Sequence, residues 1–330
     1  MLWVGTDDGQ LWVTRDGGVS WTNVTAKVGL PRPFYVASVE PSRFADGTCY
    51  VCFDAHRSND DDPHLFVTED FGATWKALRG DLPAGSSRVL REDLYNKDTL
   101  YLGTEFSVFA SIDRGRTWTR ISNNLPTVAV LELAQHPTAG EMVAATHGRS
   151  LWIVDVTPLR QLTPAVAKAP ATLLAPAPVV RWRRELQRGS VYGGGSREYF
   201  GQNPPPGAAV CYVLTKPAKS VKLVVQDYTG KTVATLAAKP EPGLHRVSWD
   251  LRGAVAPRVA FEGLLPDRVR AAMGQGPQPV PAGTYRVVLT VDGVEHTQGL
   301  RIENDPTLPP GTTIAEPDET PRKRRERVDF

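Results

Sequence analysis

Residues able to move protons or grip ions fall in loops between strand-like runs: Asp7, Asp8, Arg32, His56, Arg57, Asp60, Asp61, Asp62, His64, Glu105, His147 and Arg149. Carboxylates beside arginine and histidine suit glycoside hydrolysis, which needs an acid and a base or nucleophile flanking the bond. The same set equally suits a polar binding surface or a plain cluster of solvated loops. Asp60-Asp61-Asp62 offers the oxygen ligands that calcium prefers. It lacks the spaced Asp/Asn-Gly pattern of a calcium loop, so solvation fits it better. Cys49 and Cys52 form a CxxC, but on an alternating strand an odd separation points them to opposite faces. Cys211 is distant, and a zinc site would need a second ligand pair. Buried structural thiols are expected, with no metal and no cofactor.

An internal repeat must position these loops. Thr14-Arg15-Asp16-Gly17-Gly18-Val19-Ser20-Trp21, Thr68-Glu69-Asp70-Phe71-Gly72-Ala73-Thr74-Trp75 and Ser111-Ile112-Asp113-Arg114-Gly115-Arg116-Thr117-Trp118 share the pattern [ST]-x-D-x-G-x-[ST]-W. In this box, Asp16, Asp70 and Asp113 are expected to accept bonds from turn amides. Gly18, Gly72 and Gly115 supply a conformation other residues resist, and Trp21, Trp75 and Trp118 start the next strand and bury against the sheet. The boxes therefore read as scaffold rather than catalytic groups.

Strand-like runs recur in one order around each box. One unit runs 35–39, 49–53, 65–68 and 75–78, and the next 89–91, 99–103, 108–111 and 118–121. A further unit covers 128–134, 142–145 and 150–155, with no box and no fourth strand. Gly5-Thr6-Asp7, Gly103-Thr104-Glu105 and Ala145-Thr146-His147 fall at equivalent places.

On these residues the chain resembles the BNR/Asp-box β-propeller proteins, which include sialidases, xyloglucanases, sortilin-type receptors and photosystem II assembly factors. It is most similar to bacterial sortilin-like proteins labelled glycosyl hydrolases, through Ala145 to Asp155 (ATHGRSLWIVD) and Val39 to Phe44 (VEPSRF). The resemblance implies an all-β fold, a partial β-propeller over 1–162. It places box turns on one face and ligands on the other, where Asp7, Asp8, Arg57, Glu105, His147 and Arg149 form the candidate ligand face for a glycan or peptide. His147 and Arg149 have a second reading, as bonds to neighbouring blade backbones. The Arg-Ile-Pro motif of sialidases is missing; Gly29-Leu30-Pro31-Arg32-Pro33 is not it. A xyloglucanase-like hydrolase would need two opposed carboxylates from separate parts of a ring.

Leu2-Trp3-Val4 looks like a second strand without an inner strand before it, giving two complete units flanked by two partial ones. Closed propellers need about four or more blades. The expectation is a carboxy-terminal piece of a longer protein with missing N-terminal blades. That would also account for the lack of a signal peptide, with an extracellular or periplasmic parent.

Beyond Leu162 the chain turns rich in Ala and Pro, and 163–207 reads as a connector. Short alternating strands return over 208–303, with turns at Asp227-Tyr228-Thr229-Gly230 and Asp292-Gly293, and suggest an immunoglobulin-like β-sandwich. A short helix is expected near 266–273 and a disordered tail over 304–330. Gly 29 and Pro 28 in 330 residues suit many tight turns. A net charge of +2 with no long basic stripe leaves no electrostatic footprint for nucleic acid, and no apolar run is long enough to span a membrane.

Overall fold

The structure is a computed structural model that describes residues 1–182, 207–253 and 279–307. The helix expected near 266–273, most of the connector and most of the tail lie outside these residues. The chain divides into two compact units, Met1–Ala169 and Pro170–Phe330.

The first unit is a succession of antiparallel meanders. Strands β1 (Leu2–Gly5), β2 (Leu11–Thr14) and β3 (Thr22–Asn23) form a three-stranded sheet. β4 (Tyr35–Pro41), β5 (Cys49–Asp54), β6 (His64–Thr68) and β7 (Lys76–Ala77) form a four-stranded one. So do β8 (Ser87–Glu92), β9 (Leu100–Thr104), β10 (Val108–Ser111) and β11 (Thr119–Arg120). β12 (Val130–Gln135), β13 (Glu141–Thr146) and β14 (Leu151–Asp155) complete the series, followed by the short helices α1 (Thr157–Arg160) and α2 (Pro164–Lys168). Each sheet packs on the next, so the core is a chain of interlayers. Leu11, Val13 and Val24 meet Val36, Val51 and Phe53. Tyr50, Cys52 and Leu65 meet Leu90, Leu102 and Phe109, and Val89, Tyr101 and Val108 meet Leu133 and Met142. This order of consecutive meanders packed face to face, with β4 beside β8 and β8 beside β12, is propeller-like. Cys49 and Cys52 serve opposite interlayers, and burial pushes both thiols up from their ordinary range.

The box turns close the third-to-fourth strand connections. Asp70 accepts from the Thr74 amide at 2.8 Å and hydroxyl at 2.6 Å, and from the Thr68 hydroxyl at 2.9 Å. Asp16 takes the equivalent bonds from Ser20 and Thr14. Asp113 takes them from Thr117 and Ser111, and adds the Arg116 amide. Gly18, Gly72 and Gly115 all have φ between 82 and 102°. The two variable positions of the box link neighbouring sheets: Arg15 lies over the Phe71 ring at 4.0 Å, and Glu69 pairs with Arg114 at 2.7 Å. Phe71 and Arg114 adopt φ of 60 and 63°, and that left-handed turn presents them to the preceding box.

The tryptophans correct an expectation. Trp118 is buried and donates to the Leu78 carbonyl of the preceding sheet at 3.0 Å, and Trp75 packs edge-on against Trp3 of the sheet before it. Trp21 belongs to the first sheet, with none described ahead of it, and is 40% exposed. Burial of the box tryptophan comes from the preceding sheet rather than its own.

The hydroxyl and amide of Thr74 hold the Asp70 carboxyl down at about 2. Ser20 lowers Asp16 further, and Asp113 is lowered by its bonds although its partial burial opposes them. A folded value below the unfolded one of about 3.9 means stability that is complete above about pH 4 and lost as pH falls toward 2. Glu40 and Glu92, raised mainly by burial, act in the opposite sense: their contribution is present at low pH and is lost as pH rises through their folded values. Asp70→Ala is therefore expected to melt below wild type at pH 7, with the gap closing near pH 2. A gap independent of pH would contradict this.

The second unit contains β15 (Ala171–Leu173), β16 (Val179–Arg181), β17 (Ala208–Leu214), β18 (Val221–Gln226), β19 (Thr232–Leu236), β20 (Gly243–Trp249), β21 (Gly283–Val291) and β22 (Val294–Asn304). They form two sheets, ordered β15-β17-β20 and β16-β22-β21-β18-β19. Val210, Tyr212 and Trp249 of the first share one core with Leu223, Val287, Leu289 and Leu300 of the second. Asp292-Gly293 has φ of 49 and 87°, suited to a two-residue hairpin turn, and Asp292 accepts from the Lys219 and Ser220 amides. The expected connector is thus partly structured. Residues 164–168 are helical, Ala171–Leu173 pairs with β17, and Val179–Arg181 runs parallel to β22. Three-residue strands have no periodicity to read, and their partners lie far along the chain.

Candidate functional site

On the first unit, the end of each second strand opposite the box turns carries a polar residue. Asp54 pairs with Tyr35, the Glu105 amide donates to Ser86, and the His147 amide donates to Ala129. Tyr35, Ser86 and Ala129 each precede the same register point, so Asp54, Glu105 and His147 are equivalent. Thr6, Thr104 and Thr146 close matching hairpins, which adds Asp7 to the series. Asp54 was not legible beforehand because Phe53-Asp54-Ala55 lacks the Gly-Thr or Ala-Thr that marks the other three.

Immediately inside these positions each inner strand carries a bulge, between Val36 and Ser38, Ser87 and Val89, and Val130 and Glu132. The extra residues are Ala37, Arg88 and Leu131. A bulge re-aims its side chain, and Arg88 is turned onto two carboxylates. One guanidinium nitrogen bonds Asp54 Oδ2 of the second sheet, and Nη2 and Nε bond Glu105 Oε2 of the third, Nε at 3.0 Å. His56, in the 3₁₀ turn His56–Ser58, places Nδ1 at 2.7 Å from Asp54 Oδ1 while its backbone amide donates to the same oxygen at 3.1 Å. Asp54 is 6% exposed, Arg88 14% and Glu105 31%, so the network runs from the interior to a solvent-facing carboxylate.

The other sequence candidates do not join this network. Asp8 accepts from Thr6, and Asp7 is exposed. Arg57 lies 6.0 Å over the Tyr35 ring, and Arg32 donates to the Ser58 carbonyl at 2.7 Å. Asp60 pairs with His64 at 3.0 Å and Asp62 with Arg79 at 3.0 Å, so two of the three acidic-loop residues hold protein partners. His147 and Arg149 are exposed, and neither side chain forms a hydrogen bond or ion pair among the described residues. Their backbones do: the His147 amide bonds Ala129, and the Arg149 carbonyl accepts from Trp152 at 2.8 Å. Among the described residues no group of three or more His, Cys, Asp or Glu could hold a metal ion, and no helix is long and apolar enough to cross a membrane.

A second polar stitch runs across the inner strands. Arg91 of β8 reaches Ser38 and Glu40 of β4 at 2.9 and 3.4 Å, and Glu132 and the Leu133 carbonyl of β12 at 2.6 and 3.3 Å. On the box side, Glu92 accepts from Ser42 and from the Arg43 amide, docking the 39–44 segment onto the third sheet.

No protein-family model and no curated protein matches the chain. Among solved structures it is similar to YCF48 bound to D1 peptide, at 15% identity and a TM-score of 0.34, over 90% of this chain and 76% of that one. It is similar to a GH74 enzyme of Niastella koreensis at 12% identity and a TM-score of 0.35, over 90% and 51%. An ancestral GH74 enzyme gives 13% and 0.36, over 90% and 40%. The chain spans about half or less of these enzymes' length. All three neighbours are β-propellers. At TM-scores this low, the propeller-like order rests on the strand pairing and sheet packing described above.

Proposed function

We propose that the first unit is a binding module whose ligand face is the strand-end surface opposite the box turns, taking a glycan or a peptide, within a larger sortilin-like Asp-box propeller protein. The observation that carries this is Arg88, which a bulge directs onto Asp54 and Glu105 from two different sheets, with His56 completing the shell. Such a network fixes polar groups across a sheet boundary before any ligand arrives, so little ordering remains to be done on binding. Glu105 at its rim, with Asp7, His147 and Arg149 at or near equivalent places, offers donors and acceptors to a hydroxylated or amide-rich ligand. The second unit, read as an immunoglobulin-like sandwich, is an appended domain.

Hydrolysis is the second reading, favoured by the carboxylates alone. A general acid must reach the leaving oxygen. Both Asp54 oxygens are taken by His56 and Arg88, and Glu105 is gripped by Arg88, which favours binding over catalysis.

The test is to screen the 330-residue chain against arrays of neutral oligosaccharides and of peptides, and to assay it on xyloglucan and aryl-glycosides. The expected result is retention of a ligand class without turnover, weakened at least tenfold by Glu105→Ala with His147→Ala. Turnover abolished by Glu105→Gln would establish the hydrolase instead.

A further inference from the structure

The first three sheets of the first unit end in blunted outer strands. β3 (Thr22–Asn23), β7 (Lys76–Ala77) and β11 (Thr119–Arg120) are each two residues long and exposed, and each carries a polar or charged side chain. Shortness and charge are what keep a sheet edge from pairing with another strand. The fourth sheet ends differently. Its last strand among the described residues is β14, Leu151-Trp152-Ile153-Val154-Asp155, apolar up to the aspartate and with no lysine, proline or bulge.

The hairpin fixes which backbone groups of β14 are spare. The Thr146 amide bonds the Ser150 carbonyl at 3.3 Å, the Val156 amide bonds the Gly140 carbonyl at 2.8 Å, and the register between them runs without a shift. Bonded and non-bonded residue pairs alternate along an antiparallel pair. Trp152 and Val154 therefore bond β13, while the N–H and C=O of Leu151 and Ile153 point to the open edge. The side chains of Leu151 and Ile153 are largely exposed as well, beside Ala145 and Val143 of β13.

Charges at the two ends decide what fits. Arg149, just before β14, is exposed and holds no ion pair among the described residues, and Asp155 closes the strand with the Thr157 amide at 2.9 Å on its carboxylate. Both stand three residues from Trp152. Two copies of β14 laid antiparallel about Trp152 thus bring Arg149 of each beside Asp155 of the other. The same register pairs Leu151 of each copy with Ile153 of the other, and these are the residues whose backbone groups are spare. A parallel pairing would set Arg149 against Arg149. β1 also ends its sheet, but Leu2-Trp3-Val4-Gly5 carries no charge to fix a direction.

We propose that the chain forms a two-fold dimer through β14, joining the fourth sheets of two copies into one continuous sheet. The Asp54, Arg88 and Glu105 network takes no part in it, so the dimer does not depend on the ligand reading.

Sedimentation velocity of the full chain tests this. A dimer is expected as the first species above the monomer. Ile153→Pro removes an amide that β13 does not use, at an edge where proline is tolerated, and should give a folded monomer. Arg149→Asp and Asp155→Arg each set like charges together at both ends, and each should weaken the dimer about tenfold. Mixed in equal amounts, these two variants restore opposite charges at both ends and should form a heterodimer close to wild-type affinity. A monomeric wild type, dimers of a folded Ile153→Pro chain at wild-type affinity, or a mixture no tighter than either variant alone would each overturn the proposal.

Discussion

Asp93→Ala is expected to destabilise the first unit by about 3–5 kcal/mol, the range for removing one partner of a buried ion pair. Asp93 has no exposed surface. Its Oδ1 accepts from the Tyr95 and Asn96 amides at 2.8 and 3.0 Å, and its Oδ2 from the Tyr101 hydroxyl at 2.9 Å and Arg160 Nε at 2.7 Å. Arg160, at the end of α1, is 11% exposed and also donates to Gln135, while its carbonyl accepts from Asn96. The carboxylate thus holds the segment after the fourth sheet against the third. Truncation strands a guanidinium, a phenol and two amides at once, and no water replaces a partner in so closed a place without rearrangement. Asp93→Asn keeps an acceptor and should cost less. Urea unfolding followed by tryptophan fluorescence would show the loss, and a change below about 1 kcal/mol would mean the network is dispensable.

The second large effect concerns association. Among the described residues of the first unit, each inner sheet packs between two others, while the first and the fourth each pack against one. Leu2 and Val4 are 50% and 42% exposed on the first sheet, and Leu151 and Ile153 both 66% on the fourth. Apolar sheet faces of this kind associate in water. The 330-residue chain is expected to form concentration-dependent oligomers in sedimentation velocity, and Leu151→Glu with Ile153→Glu to shift it to a monomer. These residues point away from the packed interlayer, so the variant should keep its melting temperature. A wild-type chain that stays monomeric at all accessible concentrations would show that those faces are covered some other way.

What could be read from the sequence depended on the range of the interactions. The box is legible because its bonds are local: the carboxylates of Asp16, Asp70 and Asp113 bond residues two to four positions away. The strands of the first unit are legible because alternation survives in them. Arg88 was hidden because a bulge breaks the alternation that would have placed it, and Asp54 because its segment lacks the threonine of its equivalents. The couplings Arg15 to Phe71 and Glu69 to Arg114 fall in the variable positions of the box, where no pattern draws attention. Trp21 has the same local sequence as Trp118 and a different fate, set by whether a sheet stands before it. In the second unit β15 and β16 exist only through distant partners, so a Pro- and Ala-rich stretch gave no sign of them.

Amide hydrogen exchange tests most directly whether ligand is held at the strand ends opposite the boxes. The chain would be compared with and without the tightest ligand retained from the oligosaccharide and peptide arrays. Slowed exchange is expected in 54–58, 86–89 and 104–107, around Asp54, Arg88 and Glu105, with none at the box turns. Protection confined to 14–21, 68–75 and 111–118, with the strand ends unchanged, would contradict it.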